Sequence, residues 1–462
     1  MLSVLAALPA CARAQSAPIP AAPVPGPPPA TSFQGSVPSG AVSPGVLKLS
    51  LDDAIQRGLQ SNLGIILSST QTAGARAQRL GQLQNLLPSV DFKAQEAELQ
   101  TDLPAEGLRI PGFPKIIGPF SYTDVRASMT WSLANVSSLR NYLAARHNFT
   151  ASQLSAQDAR DMVVLTVGNA YLLVLADDTE VSSVQAQTAT SKVSLDQAVA
   201  NHQAGTAPLL DELRARVDYQ SIEQQLIAAQ NALQKDQLAL KRTIGLPLDQ
   251  AIDLTDKAPY APFDTLDSGA LIKQAKEGRK DLAALVETAA AAAEQRKAAT
   301  AARLPSVEAD ADFGDIGSTL GHSHGTVDAS ATLSVPLFAE FALRGEAQQA
   351  QAQLDTAQAQ LSDRNAQIEA DVRDALLDID SAQKQVEVAQ SSMSLAGEAL
   401  REAQERYTNG VSDNLAVSQA QQSVAQADGQ YVASLYRYNV AKLSLARALG
   451  DGRDYGKFVG GK

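Results

Sequence analysis

At 462 residues the chain is long enough for two or three domains, and its apolar content of 45% would support large cores. Only 5% is aromatic, and Ala, Gln, Leu and Ser dominate, a composition that favours long helices packed side by side over compact globular packing. A formal net charge of -12 excludes the clustered Lys and Arg of a nucleic-acid partner, and the lack of any run of roughly eighteen apolar residues excludes an ordinary membrane-spanning helix.

The chain opens on small apolar residues that lead to Ala12-Arg13-Ala14, a signal-peptidase site of the A-x-A type. Residues 1–14 therefore read as a signal peptide and the protein as exported, although no basic residue precedes Arg13. Cys11, the only cysteine, cannot form an internal disulfide. In Leu8-Pro9-Ala10-Cys11 it loosely matches a lipoprotein acylation box, and the alternative is that it is discarded with the signal. Residues 15–46 are rich in Pro, Gly, Ser and Ala, with almost no charge and no period, and read as a disordered tether; order is expected from Leu47.

An internal duplication follows. Leu87-Pro88-Ser89 ends a helical stretch that begins near Leu51, and Leu304-Pro305-Ser306 ends one that begins near Leu271. Later in each half a helix breaks at a glycine, Gly205 or Gly410, resumes, and ends at a second, Gly245 or Gly450. Both pairs are separated by the same 205 positions, since 410 − 205 and 450 − 245 agree. Residues 47–250 and 268–450 are thus two repeats of helix, two strands, long helix, sharp turn and helix. Residues 251–267, with Pro259 and Pro262, connect them, and 451–462 form a tail.

Between the helices the chain alternates with period two. Val90, Phe92 and Ala94 oppose Asp91, Lys93 and Gln95; Val125, Ala127, Met129, Trp131 and Leu133 oppose Asp124, Arg126, Ser128, Thr130 and Ser132. In the second half Val307, Ala309, Ala311 and Phe313 oppose Glu308, Asp310 and Asp312, and the line from Val327 through Leu333 to Leu337 opposes Asp328, Ser330, Thr332 and Ser334. Strands of about ten residues suit a tilted span of an outer membrane, while a half-buried sheet of a soluble domain shows the same alternation. Four strands cannot close a barrel, for which about eight is the minimum, and an open edge in lipid leaves backbone groups unpaired. Several copies must then share one barrel, with Asp91, Glu308, Asp310, Asp312 and Asp328 lining a wet, negative lumen.

From Asn135 to Gln203 only Gly168 interrupts a helical pattern, a rod of roughly 100 Å, and a second rod runs from Phe338 to Tyr407 without proline. In the second, Leu354, Leu361, Ile368, Ala375, Ala382, Ala389, Ala396 and Ala403 keep a seven-residue period beside Val372, Ile379, Val386, Met393, Leu400 and Tyr407. That is a coiled-coil seam whose small residues let helices approach closely. After Gly410 the returning helix repeats it with Val417, Val424, Tyr431, Tyr438 and Leu445. A periplasmic coiled-coil scaffold without a pore is the competing reading of such rods.

The opening Leu51-Asp52-Asp53-Ala54-Ile55 with Ser61-Asn62-Leu63, the two Leu-Pro-Ser endings, and Arg406-Tyr407-Thr408-Asn409-Gly410 through Ala448-Leu449-Gly450 resemble the TolC-type outer-membrane factor (outer membrane efflux protein) family. The resemblance covers about 47–450. It implies an α+β membrane protein: a homotrimer with four strands per protomer in a twelve-stranded outer-membrane β-barrel, continued by a long periplasmic α-helical coiled-coil barrel. It implies an outer-membrane exit duct of tripartite efflux or type I secretion that docks to a periplasmic adaptor and an inner-membrane pump. It also implies that Gly205, Thr206, Gly410 and Val411 mark the periplasmic tip that meets the adaptor. Family members commonly carry acidic residues past these turns, where they constrict the closed aperture. Asp211, six residues after Gly205, fits; the matching position in the second half is Ala416, with Gln419 three further on, so Glu212 and Asp413 are the remaining acidic candidates.

No nucleophile, nucleotide loop or cofactor motif accompanies these patterns, so the chain reads as a non-enzyme whose transport energy comes from a partner. His322 and His324 between two strands suit a polar hairpin loop better than a metal site, and His147 and His202 read as isolated surface residues on helices.

Overall fold

The computed structural model describes residues 30–38, 42, 44–256, 260, 262–263, 267–409, 411–412 and 414–451. The expected signal peptide, Cys11, Gly410, Asp413 and the tail after residue 451 lie outside the described residues. In chain order the first half contains β1 (Leu47–Leu49), α1 (Leu51–Ser61), α2 (Leu63–Gln84), β2 (Ser89–Asp102), β3 (Ile116–Ala134), α3 (Val136–Gln203) and α4 (Leu209–Ile244). The second repeats the order with β4 (Ile252–Leu254), α5 (Ser268–Gly278), α6 (Lys280–Ala301), β5 (Ser306–Gly317), β6 (Ser323–Ser334), α7 (Glu340–Thr408) and α8 (Asn414–Leu449).

The single opening helix expected in each half is two helices. Asn62 (φ -65°, ψ 133°) and Arg279 (φ -67°, ψ 124°) are extended at equivalent joints. Asn62 is buried and makes the break favourable: its side-chain oxygen accepts from Gly64 N at 2.9 Å, capping α2, while Nδ2 donates to the Phe33 carbonyl at 2.7 Å. Arg279 has no capping side chain, and its joint is held instead by ion pairs to Asp281 and Asp371, both 2.7 Å.

Order also begins before Leu47, which corrects the expected tether over 15–46 at its C-terminal end. Ala30–Gln34 form a 3-10 turn, and Phe33 is only 5% exposed because Gly64 leaves room for its ring; a Cβ there would lie 2.3 Å from Phe33 Cδ1. Val37 N donates to the Ser61 carbonyl at 2.9 Å, fixing the segment to the end of α1.

The segment expected as a plain connection contains β4, which pairs in parallel with β1, Leu47 opposite Ile252 and Leu49 opposite Leu254. The two repeats are thereby clasped to each other at mid-height. Tyr171 of α3 anchors the clasp: its buried hydroxyl donates within 3.0 Å of the Leu49 carbonyl and lies 2.9 Å from Asp256 Oδ2. Burial, with Asp256 nearby, pushes the phenol well above its usual range, so it stays a neutral donor.

At 68 and 69 residues α3 and α7 are each about 100 Å long. Gly168 does not break α3; its missing side chain admits Leu443 of α8, whose Cδ2 would lie 2.5 Å from a Cβ. One window of α3 is apolar and long enough to cross a membrane by composition, but 56% of it is buried inside the fold. Val163, Val167, Tyr171 and Val174 form the centre of the main core with Ile55, Leu240 and Leu443. The heptad seam of α7 is buried from Leu354 to Ala389 except at Leu361, which is half-buried, and only half-buried from Met393 to Tyr407, toward the far end.

The helices lie side by side in one layer. Near the sheet the order is α2, α3, α6, α7; beyond the clasp it is α4, α3, α8, α7. Arg140–Glu294 (3.0 Å) and His147–Glu287 (2.7 Å) tie α3 to α6, so His147 is a bridging residue rather than the isolated one expected.

Candidate duct wall and helical tips

The four strands form one antiparallel sheet in the order β2-β3-β5-β6, which leaves β2 and β6 as edges. Its register carries the alternation across all four strands. Phe92, Ala127, Phe313 and Val327 form one row, and Val90, Met129, Ala311 and Ala329 the next. Both rows belong to a continuous apolar face on which Val90, Phe92, Phe313, Val327 and Leu333 are all exposed. A soluble sheet would cover such a face with a helix, and the helices instead leave the sheet end-on.

On the other face Asp91, Ser128, Asp312 and Asp328 share a row, Thr130, Asp310 and Ser330 another, and Ser132, Glu308 and Thr332 a third. The five acidic residues expected to share a surface are therefore together. That surface is less negative than expected, because Arg126 and Lys93 stand opposite each other on it. The Arg126 guanidinium bridges Asp124 at 2.8 Å and Asp312 at 2.7 Å, and Thr130 Oγ1 donates to Asp310 at 3.2 Å. The expectation missed this because Arg126 and Asp312 are far apart in sequence and meet only through the β3–β5 register.

Two strands are longer than the expected ten or so residues, with 14 in β2 and 19 in β3. Asp315 already stands in the Ala94–Val125 row, and past that row the polarity inverts: Glu96 and Thr123 occupy the apolar face's positions, while Ala97 and Tyr122 occupy the polar face's. The apolar face thus ends at that row, while the β2–β3 ladder continues to the Asp102–Ile116 pair.

At the far end of the rods α3 turns into α4. Gly205 adopts φ +74°, open to glycine at no steric cost, and its N–H donates to His202 O at 2.9 Å. Thr206 closes the turn twice, donating from its N–H and its hydroxyl to the Asn201 carbonyl, both 2.9 Å. His202 Nδ1 lies 3.3 Å from the Ala207 carbonyl, so this histidine also belongs to the turn. In the second turn Val411 N donates to Arg406 O at 2.9 Å and the Val411 side chain is exposed. Asn201 Nδ2 donates to the Tyr407 hydroxyl at 3.4 Å, joining the two turns, a tie with no sequence signal.

Asp211 and Glu212 lie in the first turn of α4, where the helix dipole favours negative charge. Each has a cation on its own helix: Arg216 lies 2.8 Å from Glu212, and Arg214 lies 3.9 Å from Asp211. Ser418 of α8 donates to Asp218 of α4, joining the two returning helices. His322 Nδ1 lies 3.2 Å from Thr319 Oγ1 in the β5–β6 hairpin, and among the described residues no three His, Cys, Asp or Glu side chains group to hold a metal.

The chain is similar to proteins of one kind. A curated relative, the pyoverdine export outer membrane protein OpmQ of Pseudomonas putida, is 23% identical over 311 residues, 67% of this chain and 66% of its own length. The chain thus spans just under two thirds of that relative. Among solved structures, the CmeC outer membrane channel of Campylobacter jejuni superposes with a TM-score of 0.79 at 19% identity, covering 87% of this chain and 86% of that one. The outer membrane protein VceC of Vibrio cholerae superposes with a TM-score of 0.76 at 21% identity, covering 87% and 96%. A membrane protein from Pseudomonas aeruginosa gives 0.78 at 22% identity, covering 87% and 93%. Residues 55–246 and 271–451 match the family described as outer membrane efflux protein, and they coincide with the two repeats built above. By that match the chain belongs to the outer membrane efflux protein family, the TolC-type channels, and is a protein of the outer membrane.

Proposed function

We propose that three copies of this chain close into a passive exit duct that conducts solutes outward from a periplasmic adaptor and an inner-membrane pump. The observation that carries the reading is the sheet: four strands with an exposed apolar face, a polar face, and free edges at β2 and β6. In lipid such edges are tolerated only when paired, and pairing β6 of one copy with β2 of the next forms a closed ring. Three copies give twelve strands, in line with the family resemblance. The helical layer supports the same closure, because α7 at one flank exposes Leu377, Val388 and Leu395, and α4 at the other exposes Leu213, Val217 and Ile227. With the apolar face toward lipid, Asp91, Glu308, Asp310 and Asp328 line the water-filled lumen beside the Arg126–Asp312 pair.

The turns at Gly205, Thr206, Gly410 and Val411 then form the tip that meets the adaptor. Adaptor contacts favour a splayed arrangement of the hairpins over a closed one, and solutes diffuse through. Asp211 and Glu212 ring the aperture together with Arg214 and Arg216, so the collar is charge-paired within each protomer. Conductance of purified protein in a planar lipid bilayer tests the proposal. Discrete, salt-dependent single-channel steps are expected. A monomer that stays in the aqueous fraction after cell disruption and gives no steps would mark a coiled-coil scaffold instead.

A further inference from the structure

Near the sheet, α2, α3, α6 and α7 border a single groove of about 820 Å³. Contacts between neighbouring helices place all four at one level there. Arg140 and His147 of α3 meet Glu294 and Glu287 of α6 at 3.0 and 2.7 Å, and Ser152 Oγ of α3 donates to Thr72 Oγ1 of α2 at 3.1 Å. Ala292 of α6 packs on Leu354 and Ala357 of α7. A flat layer cannot bring its two outer helices, α2 and α7, to one groove, so the layer is bent toward this side. In a closed ring the concave side of the layer faces the axis.

Every residue that lines the groove is Gln, Asn, Thr or Ala. Gln78 and Gln82 of α2, Asn141 and Asn148 of α3, Gln295 of α6 and Gln353 of α7 surround a floor that includes the buried Ala144 and Ala291. This neutrality does not follow from local composition. Arg140 and His147 each precede a lining asparagine by one residue, and the turn of about 100° between successive helical positions directs them to α6, where Glu294 and Glu287 pair with them. Arg79, the residue after Gln78, lies over the Phe149 ring at 4.6 Å. Charge at this level is thus kept off the concave side, whereas the polar face of the sheet carries Asp91, Arg126 and Asp312.

A carboxamide both donates and accepts, so it exchanges hydrogen bonds with other amides and selects for no charge. Each such bond replaces one to water and adds little by itself, so retention requires a solute that makes several at once. A peptide-like chain presents N–H and C=O groups in the alternation that such a wall can match, and the volume lies within the roughly 300–1,000 Å³ of small-molecule sites. On the reading that three copies close into a duct, we propose that this groove is a lumenal contact site for uncharged, amide-bearing solutes of peptide-like chemistry. These solutes exchange hydrogen bonds with its carboxamides on their way out.

The test records the full chain in a planar lipid bilayer with N-acetyl-triglycine amide as the probe. The probe should interrupt the wild-type current in brief events whose frequency rises with its concentration. Asn141→Ala with Gln353→Ala, both at exposed positions where alanine suits a helix, should shorten the events by roughly fivefold for each hydrogen bond lost. Gln353→Glu gives a second measurement that needs no probe. A carboxylate on the lumen wall should raise cation over anion selectivity, read as a shift of the reversal potential in a salt gradient. Single-channel steps without probe events, events of equal length in the alanine variant, or a reversal potential unmoved by Gln353→Glu overturn this inference and leave the duct standing. The lack of any steps would overturn the duct and the inference with it.

Discussion

Arg279→Met isolates the ion network at the α5–α6 joint. Arg279 is only 4% exposed, its two terminal nitrogens lie 2.7 Å from Asp281 and 2.7 Å from Asp371, and Gly450 packs so closely behind it that a Cβ there would lie 2.9 Å from Arg279 N. Methionine keeps most of the volume and removes the charge. Asp371, with 37% of its side chain exposed, can rehydrate, whereas Asp281 at 13% cannot, and its next cation, Arg364, is 3.8 Å away. The destabilisation therefore comes mainly from one stranded carboxylate and should be about 3 kcal/mol, the lower end for breaking a buried pair. Burial alone would raise the Asp281 carboxyl, yet the hydrogen bonds and charge of Arg279, with Arg447, hold it below its usual value. A depressed carboxylate contributes stability above its unfolded value of 3.8 that is lost as pH falls through the folded one, so the deficit of the variant should shrink below about pH 4. Guanidinium unfolding followed by circular dichroism, at pH 7 and at about pH 3, measures this. Adding Asp281→Asn should recover most of the loss at pH 7; equal deficits in the single and double variants would refute the reasoning.

Two further comparisons use the same logic of paired positions. Gly245→Ala should cost about 2–3 kcal/mol, because φ is +74° and the new Cβ would lie 2.4 Å from Ser61 Oγ, while Gly205→Ala, with the same φ and nothing within 4 Å, should cost only about 1 kcal/mol in the same unfolding assay. Phe313→Arg places a cation on the exposed apolar face and should lower recovery of folded protein in the membrane fraction by an amount equivalent to about 2–4 kcal/mol, whereas Ser330→Arg, on the opposite face beside Asp310, should be tolerated. Equal recovery of the two would contradict the assignment of faces.

The duplication, the rods and the alternating strands were legible in the linear chain because each is a local periodicity. Side chains repeat every two residues along a strand and every 3.5 to 3.6 along a helix, so Val125 to Leu133 and Leu354 to Ala389 announce their faces before folding. The glycines at 205, 245 and 450 were legible for a related reason: a positive φ is a property of one residue, and all three adopt it. What depends on residues distant in sequence was not. The β1–β4 clasp joins segments of three residues each, too short for a period, and Tyr171 reaches it from 122 positions away. Phe33 is buried in a stretch whose composition argues for disorder, because Gly64 and Asn62 shape a seat for it.

Charge behaved in the same way. Counting acids along β5 and β6 suggests a strongly negative wall, but Arg126 reaches Asp312 across the register, and Arg214 and Arg216 fold back on the acids of the tip. Local patterning thus determined which elements exist and which faces they show. The tertiary structure decided which charges meet, because Coulomb and hydrogen-bond energies depend on separations of a few ångströms that only the packed chain defines.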